Sequence, residues 1–324
     1  MNEYNGTDAV NRREFLDRST KVGLALAAGG LALNAGSAVA EKASSDSIFK
    51  VGAFTKSFQD RPVSEVCRIF KKIGLDGLDL TCRPGGHIDP KDAATEIPKA
   101  VAAAKAVDVE VLFLTTSITD PDADAERILA TAADQGIDRF KMGYFRYTKF
   151  GTLRKQLDET KKRIESVAKL AAKYKVKPCV HIHSGAFLPS HGTQLYQLLR
   201  DFDPNDVGAY VDPLHMTKEG AGDGWRQGLD LLAPWISLCS VKNFIFEEGP
   251  RDKNGQLSWH TRTVPPAEGI APLPAFVSAL KQLGYTGPFS MHSEYKGSHS
   301  WKNLDTDGCI KQTAIDVKFF RGLL

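Results

Sequence analysis

Two histidines stand on alternate residues at the end of an apolar run, CVHIHSGAF. Successive side chains of a β-strand point to opposite faces, so we expect His181 and His183 to point to the same side. The same spacing recurs in PFSMHSE, where His292 and Glu294 end another apolar run. Imidazole nitrogens and carboxylate oxygens are donors that hold Zn²⁺, Mn²⁺, Co²⁺ or Fe²⁺ in proteins. The two segments predict a metal site if the fold brings them together.

Apolar runs alternate with longer segments of helical period along most of the chain, a pattern typical of a parallel sheet covered by helices. Eight such units in about 250 residues match the size of a (β/α)8 TIM barrel, the fold that we predict for residues 48–324. A doubly wound sheet is the alternative, but no G-x-G-x-x-G motif follows the first run. The predicted strands cover residues 48–54, 74–81, 109–116, 138–144, 177–183, 207–212, 236–244 and 288–294. The predicted helices lie near residues 62–73, 92–106, 122–135, 154–174, 192–201, 224–234, 272–283 and 307–322.

The connection after the seventh strand, residues 245–269, is too long for an ordinary strand-to-helix loop. Asn254 and Gly255 in its middle form a dipeptide typical of hairpin turns. We therefore predict a β-hairpin that extends over the strand ends and brings Trp259 towards a bound substrate.

Polar side chains collect at the ends of the predicted strands, which is where TIM barrels carry their reactive residues. Each histidine alone is as readily a hydrogen-bonded core residue, but together at one barrel mouth they favour a metal site. The set consists of Asp79, Cys82, Arg83, His87, Lys141, Tyr144, His181, His183, Asp212, His215, Ser240, Lys242, Asn243, His292 and Glu294.

Three segments resemble the xylose isomerase-like TIM-barrel superfamily. VDPLHMTKEG, which contains Asp212 and His215, is similar to the D-x-x-H-M-x-x-E segment of ketose 3-epimerases. GYTGPFSMHSE resembles the superfamily's G-Y-x-G-x-x-x-x-E ending, and GLDGLDLT resembles its second strand, with Asp79 where an acid is usual. The resemblance covers the layout of the chain after residue 40. It implies one divalent metal held by Glu, Asp, His and Glu from strands five to eight.

The resemblance assigns Asp212 to the strand-six metal aspartate, Glu294 to the strand-eight glutamate and His215 to a substrate-binding histidine. Two positions differ from the superfamily pattern. The strand-five motif, often E-N-H, reads His181-Ile182-His183 here, and the strand-seven motif, often H-x-K-D, reads Ser240-Val241-Lys242-Asn243. Relative to the superfamily pattern, an imidazole is lost at Ser240 and another is gained at His181.

We therefore predict a single divalent ion, Mn²⁺, Co²⁺, Zn²⁺ or Fe²⁺, as cofactor. Its expected ligands are His181, Asp212 and Glu294, with His183 or water completing the coordination. Lys242 is expected either to protonate or neutralise an oxygen of the substrate, or simply to pair with one of the two carboxylates.

The resemblance implies a sugar isomerase or epimerase that acts on a small ketose, polyol or keto-sugar through an enediolate. Since an imidazole replaces one carboxylate, a one-base lyase or dehydratase acting on a keto-sugar or 3-keto-glycoside is the alternative. A non-catalytic sugar-binding barrel is a further alternative. The predicted catalytic residues are Glu294, His181, Lys242 and His215, and the predicted substrate-binding residues are Asp79, Arg83, His87, Lys141, His215 and Trp259.

The first forty residues have the pattern of an export signal. Arg12 and Arg13 precede an alanine-rich apolar run that ends in Ala38-Val39-Ala40, which predicts a Tat-type signal over residues 1–40, followed by a linker over 41–47. We expect a periplasmic protein, tethered to the membrane only if the signal stays uncleaved.

The composition limits the partners. A net charge of +3 is too small to indicate a nucleic acid or an anionic membrane as a stable partner, which leaves a small carbohydrate. The five cysteines are odd in number and lie in predicted strands and helices, so we expect buried thiols and no disulfides. The sequence leaves open whether the chain forms a homo-oligomer.

Overall fold

The computed structural model describes residues 49–324. The predicted signal (1–40) and linker (41–47) lie outside the described residues and stay predictions. Within residues 49–324, no helix has both the length and the apolar character needed to cross a membrane.

Eight parallel strands form a closed barrel in which each strand pairs with its neighbours in chain order and the last pairs with the first. This confirms the predicted (β/α)8 barrel, with all eight strands inside or within a residue of their predicted ranges. Most positions of these strands are buried, as expected for strands covered on both faces. The barrel strands are β1 (Val51–Phe54), β2 (Gly77–Cys82), β3 (Glu110–Thr116), β4 (Arg139–Lys141), β5 (Lys177–His181), β6 (Gly208–Val211), β7 (Ile236–Val241) and β8 (Phe289–Met291).

The helices pack around the barrel and bury one face each. The first helix, for example, buries Val66, Cys67 and Phe70, which recur at helical spacing. Eight of the helices match the predicted ones. The seven-residue helix Pro213–Glu219 was not predicted. The helices are α1 (Val63–Lys72), α2 (Ala93–Lys105), α3 (Ala123–Asp134), α4 (Leu153–Tyr174), α5 (Gly192–Leu199), α6 (Pro213–Glu219), α7 (Gly224–Leu232), α8 (Leu273–Gln282) and α9 (Thr306–Arg321).

The barrel interior is filled below its mouth. Phe113, Cys179, Tyr210 and Leu238 form a buried cluster there, with the rings of Phe113 and Tyr210 meeting edge to face at 5.7 Å. A larger apolar cluster lies between the strands and the helices. The filled interior closes the barrel from below, so polar chemistry is confined to the carboxyl ends of the strands.

The predicted hairpin after β7 is confirmed. Its antiparallel strands are Asn243–Arg251 and Leu257–Val264, and Gly255 adopts the positive φ that the turn needs. Asn243 fixes its base by donating to the carbonyls of Pro266 and Ala271 at 2.8 and 3.1 Å. A second, two-stranded sheet, Phe145–Arg146 with Phe187–Leu188, joins the loops after β4 and β5 and was not predicted.

All five cysteines are free and buried, which confirms the prediction of unpaired thiols. Burial raises the pKa of the Cys67 thiol to about 11. The thiols therefore pack as small apolar groups.

Candidate functional site

Asp212 is the centre of the polar cluster at the barrel mouth. It directly follows β6 and begins α6, where its Oδ1 accepts the backbone N–H of His215 at 3.0 Å. The helix start thus fixes the carboxylate. Its Oδ2 lies 3.2 Å from His181 Nε2 and 3.2 Å from Lys242 Nζ. Burial alone would raise the pKa of Asp212, but the neighbouring imidazoles and ammonium hold it well below its usual value.

Lys242 lies between two carboxylates. Besides Asp212, its ammonium is 3.5 Å from Oε2 of Glu294, and only 6% of its side chain is exposed. Burial would lower the pKa of Lys242, yet the two carboxylates raise it above its usual value. The side chain is therefore a fixed positive charge, paired with both carboxylates that the sequence offered as partners.

Glu294 is the more accessible of the two carboxylates. Its side chain is 19% exposed, whereas that of Asp212 is fully buried. Its second oxygen, Oε1, accepts from Lys56 Nζ at 2.6 Å. Burial raises the pKa of Glu294, but Lys242, His292 and Lys56 together hold it well below its usual value.

His181 is a neutral imidazole held between a donor and an acceptor. Its Nε2 donates to Asp212, and its Nδ1 accepts from the hydroxyl of Tyr144 at 3.3 Å. Its ring stacks on Tyr210 at 4.3 Å. Burial lowers the pKa of His181 to about 3, so the ring is uncharged near neutral pH.

His183 lies on the same side of the strand end as His181, because both rings approach those of Tyr144 and His215. It lies beyond the end of β5, and its Nδ1 donates to the backbone carbonyl of Ser184 at 3.1 Å. Its ring packs at 4.0 Å from that of His215, compared with 6.4 Å from that of His181. Burial and the nearby ammonium of Lys242 lower the pKa of His183 to about 4.

His215 faces the cluster from α6. Its Nδ1 is hydrogen-bonded to the hydroxyl of Ser184 at 2.9 Å, which leaves Nε2 3.7 Å from Asp212 Oδ2 without a hydrogen bond among the described residues. Burial lowers the pKa of His215 well below its usual value. An uncharged imidazole with a free nitrogen suits the predicted contact with substrate hydroxyls.

His292 and Asp79 form a layer beneath the mouth. His292 Nε2 bonds the hydroxyl of Tyr210 at 2.8 Å and lies 3.6 Å from Asp79 Oδ2. Asp79 is fully buried and also accepts from the hydroxyls of Thr115 and Ser290. Burial would lower the pKa of His292, but the carboxylates of Asp79 and Glu294 raise it. Asp79 therefore positions His292, and the prediction that it binds substrate directly is not supported by its placement.

Lys141 and Arg83 approach the mouth from β4 and from the end of β2. Lys141 is 2% exposed, and its Nζ lies 3.4 Å from the centre of the Tyr144 ring with no hydrogen-bond partner among the described residues. Burial, together with the positive charge of Arg83, lowers the pKa of Lys141 well below its usual value. Arg83 is half-buried and lies 5.4 Å from the ring of Phe54.

Two residues predicted to bind substrate lie apart from this cluster. His87 is hydrogen-bonded to the hydroxyl of Thr81 and the carbonyl of Phe58, which ties it to the loops after β1 and β2. Trp259 lies on the hairpin with 57% of its surface exposed. The contacts of His87 are those of a structural residue, while the role of Trp259 stays a prediction.

The predicted metal ligands do not form a ready metal site. Within residues 49–324, no three or more His, Cys, Asp or Glu side chains are arranged to hold one ion. Asp212 and His181 are in contact, Nδ1 of His183 is bonded to the carbonyl of Ser184, and Lys242 lies between Asp212 and Glu294. As placed, these side chains do not surround a single ion position, and the expectation that His181, His183, Asp212 and Glu294 hold a divalent ion stays a prediction.

Three contributors to the site were missed from the sequence. Lys56 follows β1, at whose end no site residue was predicted. Tyr210 lies within an apolar run and therefore looks like a core residue. Its spacing of two residues from Asp212 nevertheless places both side chains on one side of β6. Ser184, which orients His215, looks like an ordinary loop residue.

The profile of the xylose isomerase-like TIM barrel family matches residues 67–312. No curated protein matches the sequence significantly. Among solved structures, the D-psicose 3-epimerase of Clostridium cellulolyticum H10, with D-tagatose, has a TM-score of 0.63 and 15% identity, over 85% of this chain and 99% of that one.

Two further structures have the same fold. The 3-keto-D-glucoside 4-epimerase of E. coli has a TM-score of 0.61 and 17% identity, over 85% of this chain and 99% of that one. A xylose isomerase-like TIM barrel protein of Mycobacterium smegmatis, solved in complex with magnesium, has a TM-score of 0.59 and 14% identity, over 85% of this chain and 98% of that one. At such identities the likeness shows the fold alone.

Proposed function

The chain belongs to the xylose isomerase-like TIM barrel family, and on this premise we propose that it isomerises or epimerises a small ketose or keto-sugar by moving a proton next to a carbonyl. One observation carries the proposal. The buried ammonium of Lys242 is held 3.2 and 3.5 Å from the carboxylates of Asp212 and Glu294 at the mouth of the barrel. A fixed positive charge beside a partly exposed carboxylate is what proton removal next to a carbonyl requires.

Glu294 is the proposed base because it is the carboxylate that a substrate can reach. It takes the proton from the carbon next to the carbonyl, and the electron pair moves through the new double bond onto the carbonyl oxygen. Lys242 stabilises the charge on that oxygen, which develops only during the reaction. In an isomerisation, the hydroxyl on the deprotonated carbon passes its proton to the former carbonyl oxygen and becomes the new carbonyl, while the proton taken from carbon returns to the former carbonyl carbon. Return of a proton to the deprotonated carbon from the other face completes an epimerisation.

The remaining residues hold these two groups and the substrate. The hydrogen bonds from Tyr144 to His181 and from His181 to Asp212 fix the carboxylate that anchors Lys242. The free Nε2 of His215 is placed to bind a substrate hydroxyl. Lys141 and Arg83 are proposed to bind the more distant hydroxyls.

Elimination from a keto-sugar is a second candidate, favoured by the unequal exposure of the two carboxylates. A base at Glu294, with no second accessible carboxylate at the mouth among residues 49–324, suits a reaction in which one proton is removed and a neighbouring oxygen group leaves. This lyase would begin with the same proton removal and would differ only in the fate of the enediolate.

Hydrogen exchange in deuterated water tests the proposal for all of these outcomes. The purified protein is incubated with ketoses and with a 3-keto-glycoside, and proton NMR follows the C–H signal next to the carbonyl. We expect loss of that signal with the wild-type chain and not with Glu294→Gln, with new sugar signals for an isomerase or enone absorbance for a lyase. Binding without exchange would instead identify a non-catalytic sugar-binding barrel.

We further propose that the protein acts in the periplasm on a small carbohydrate. The proposal is supported by the twin arginines and the A-x-A pattern of the first forty residues. Fractionation of cells that express the full chain tests it, with Arg12→Lys/Arg13→Lys as the variant expected to stay inside the cytoplasm.

A further inference from the structure

The positive charge between the two carboxylates at the barrel mouth is the ammonium of a side chain, Lys242. Lys242 Nζ is 3.2 Å from Asp212 Oδ2 and 3.5 Å from Glu294 Oε2. A divalent ion binds carboxylate oxygen at about 2.1 Å, so an ion on Asp212 would lie within roughly 5 Å of the ammonium. Two cations would compete for the same two oxygens, and their repulsion would be large at such separations in a buried site.

Some of the other donors at the mouth are committed elsewhere, whereas Nε2 of His215 has no hydrogen-bond partner among the described residues. His181 directs Nε2 to Asp212 and Nδ1 to Tyr144, while His183 is bonded to the backbone of Ser184. Ser240 stands two residues before Lys242 on β7, where the resemblance led us to expect an imidazole. Its buried hydroxyl has no hydrogen-bond partner among the described residues, and a neutral hydroxyl is not among the usual ligands of Zn²⁺.

We propose that, with the strand-seven histidine replaced by Ser240, the ammonium of Lys242 takes the place of the divalent metal ion in this barrel, so that the chain holds no metal at its active site. The inference rests on the proposed function only for its chemical consequence. When Glu294 takes the proton from carbon, the C–H bond breaks and the carbonyl oxygen becomes an enolate oxygen. The positive charge that stabilises this oxygen is the ammonium.

Metal binding can be measured without any sugar. The full-length protein is incubated with about 1 mM Mn²⁺ or Zn²⁺, desalted and analysed for metal, and its thermal midpoint is compared with and without the ion. We expect far less than one equivalent of metal and an unchanged midpoint. A site saturated about 100-fold above its dissociation constant would raise the midpoint by roughly 5–10 °C. One bound equivalent, or such a rise, overturns the inference.

Lys242→Met tests whether the ammonium is what excludes the ion. Without it, Asp212, Glu294 and His181 are free to bind Mn²⁺, so we expect the midpoint of this variant to rise with Mn²⁺. The matched control is Lys56→Met, which removes the exposed ammonium beside Glu294 and should stay insensitive. A Lys242→Met protein that folds and ignores Mn²⁺ contradicts the replacement. If it does not fold, the measurement on the wild-type chain still decides.

The deuterium exchange assay separates this inference from the proposed function. We expect exchange to persist after treatment with EDTA. Exchange that requires added Mn²⁺ would refute the lysine replacement and leave the proposed function intact. No exchange under either condition would refute the proposed function, and the metal-binding measurements would still decide the role of Lys242.

Discussion

Replacing Lys242 with methionine should destabilise the folded chain by about 3–5 kcal/mol, the usual cost of removing one partner of a buried ion pair. The ammonium lies 3.2 Å from Asp212 and 3.5 Å from Glu294. With an effective dielectric constant of about 20, each contact corresponds to about 5 kcal/mol of attraction, most of which is offset by the desolvation of the ammonium. The variant therefore loses stability mainly because the fully buried carboxylate of Asp212 keeps only neutral donors, the imidazole of His181 and the backbone N–H of His215.

Urea unfolding near neutral pH gives the free energies, and a second substitution makes the reasoning refutable. Lys242→Met/Asp212→Asn removes the stranded charge, so it should be more stable than Lys242→Met alone. The single variant should also recover stability as the pH falls from about 7 to 5. Without the ammonium, burial raises the pKa of the Asp212 carboxyl in the folded variant. As the pH falls, the folded chain therefore takes up a proton that the unfolded chain does not, and its stability increases. Lys50→Met is the control, since Lys50 pairs with Glu110 on the surface and should change stability by less than about 1 kcal/mol. A Lys242→Met protein as stable as the control would refute the argument.

Three further predictions follow from the same geometry. Glu294→Gln should lower kcat by roughly 10²–10⁴-fold with little change in KM in the deuterium exchange assay, because it removes the base and keeps the shape. Lys56→Met should move the acidic limb of the pH profile of kcat/KM to higher pH, because Lys56 helps to lower the pKa of Glu294; an unmoved limb would argue against Glu294 as the base. His183→Asn should flatten the loss of stability in acid, as urea unfolding between about pH 6.5 and 4.5 would reveal. The pKa of His183 is lowered to about 4, so its contribution is complete above the unfolded pKa and declines as the pH falls, by at most about 1.4 kcal/mol per pH unit.

The barrel was predictable because its signals are repeated and long. The barrel strands consist mostly of buried residues within longer apolar runs, and each predicted helix has at least eight residues with a clear apolar face. The hairpin was predictable from the length of the connection over residues 245–269 together with the turn dipeptide Asn254-Gly255. The helix Pro213–Glu219 and the two-residue strands at Phe145 and Phe187 were not, because they contain too few residues to show a period.

The members of the site were more predictable than their partners. Because the carboxyl ends of parallel strands in a barrel meet at one mouth, the sequence predicted that four side chains lie close together, and they do: His181, Asp212, Lys242 and Glu294. The sequence does not say which groups pair there. Lys56 and Glu294 are 238 residues apart in the chain, and the position of Lys242 between two carboxylates depends on the stagger of three strands. The residue types predict a metal site because imidazoles and carboxylates are common metal ligands. In the structure, Asp212 and Glu294 pair with the ammonium of Lys242.

The unequal exposure of Asp212 and Glu294 bears on the stereochemistry of the proposed reaction. Asp212 is fully buried and holds Lys242, His181 and the first turn of α6, so it is a structural anchor of the cation. Glu294 has one oxygen on Lys242 and the other on an exposed lysine that a substrate can displace. Proton exchange from both faces of a substrate needs two accessible groups, and this mouth offers one accessible carboxylate among the described residues. The arrangement thus favours proton transfer on one face, as in isomerisation or elimination, and an epimerisation here would need a neutral imidazole such as His215 as the second base.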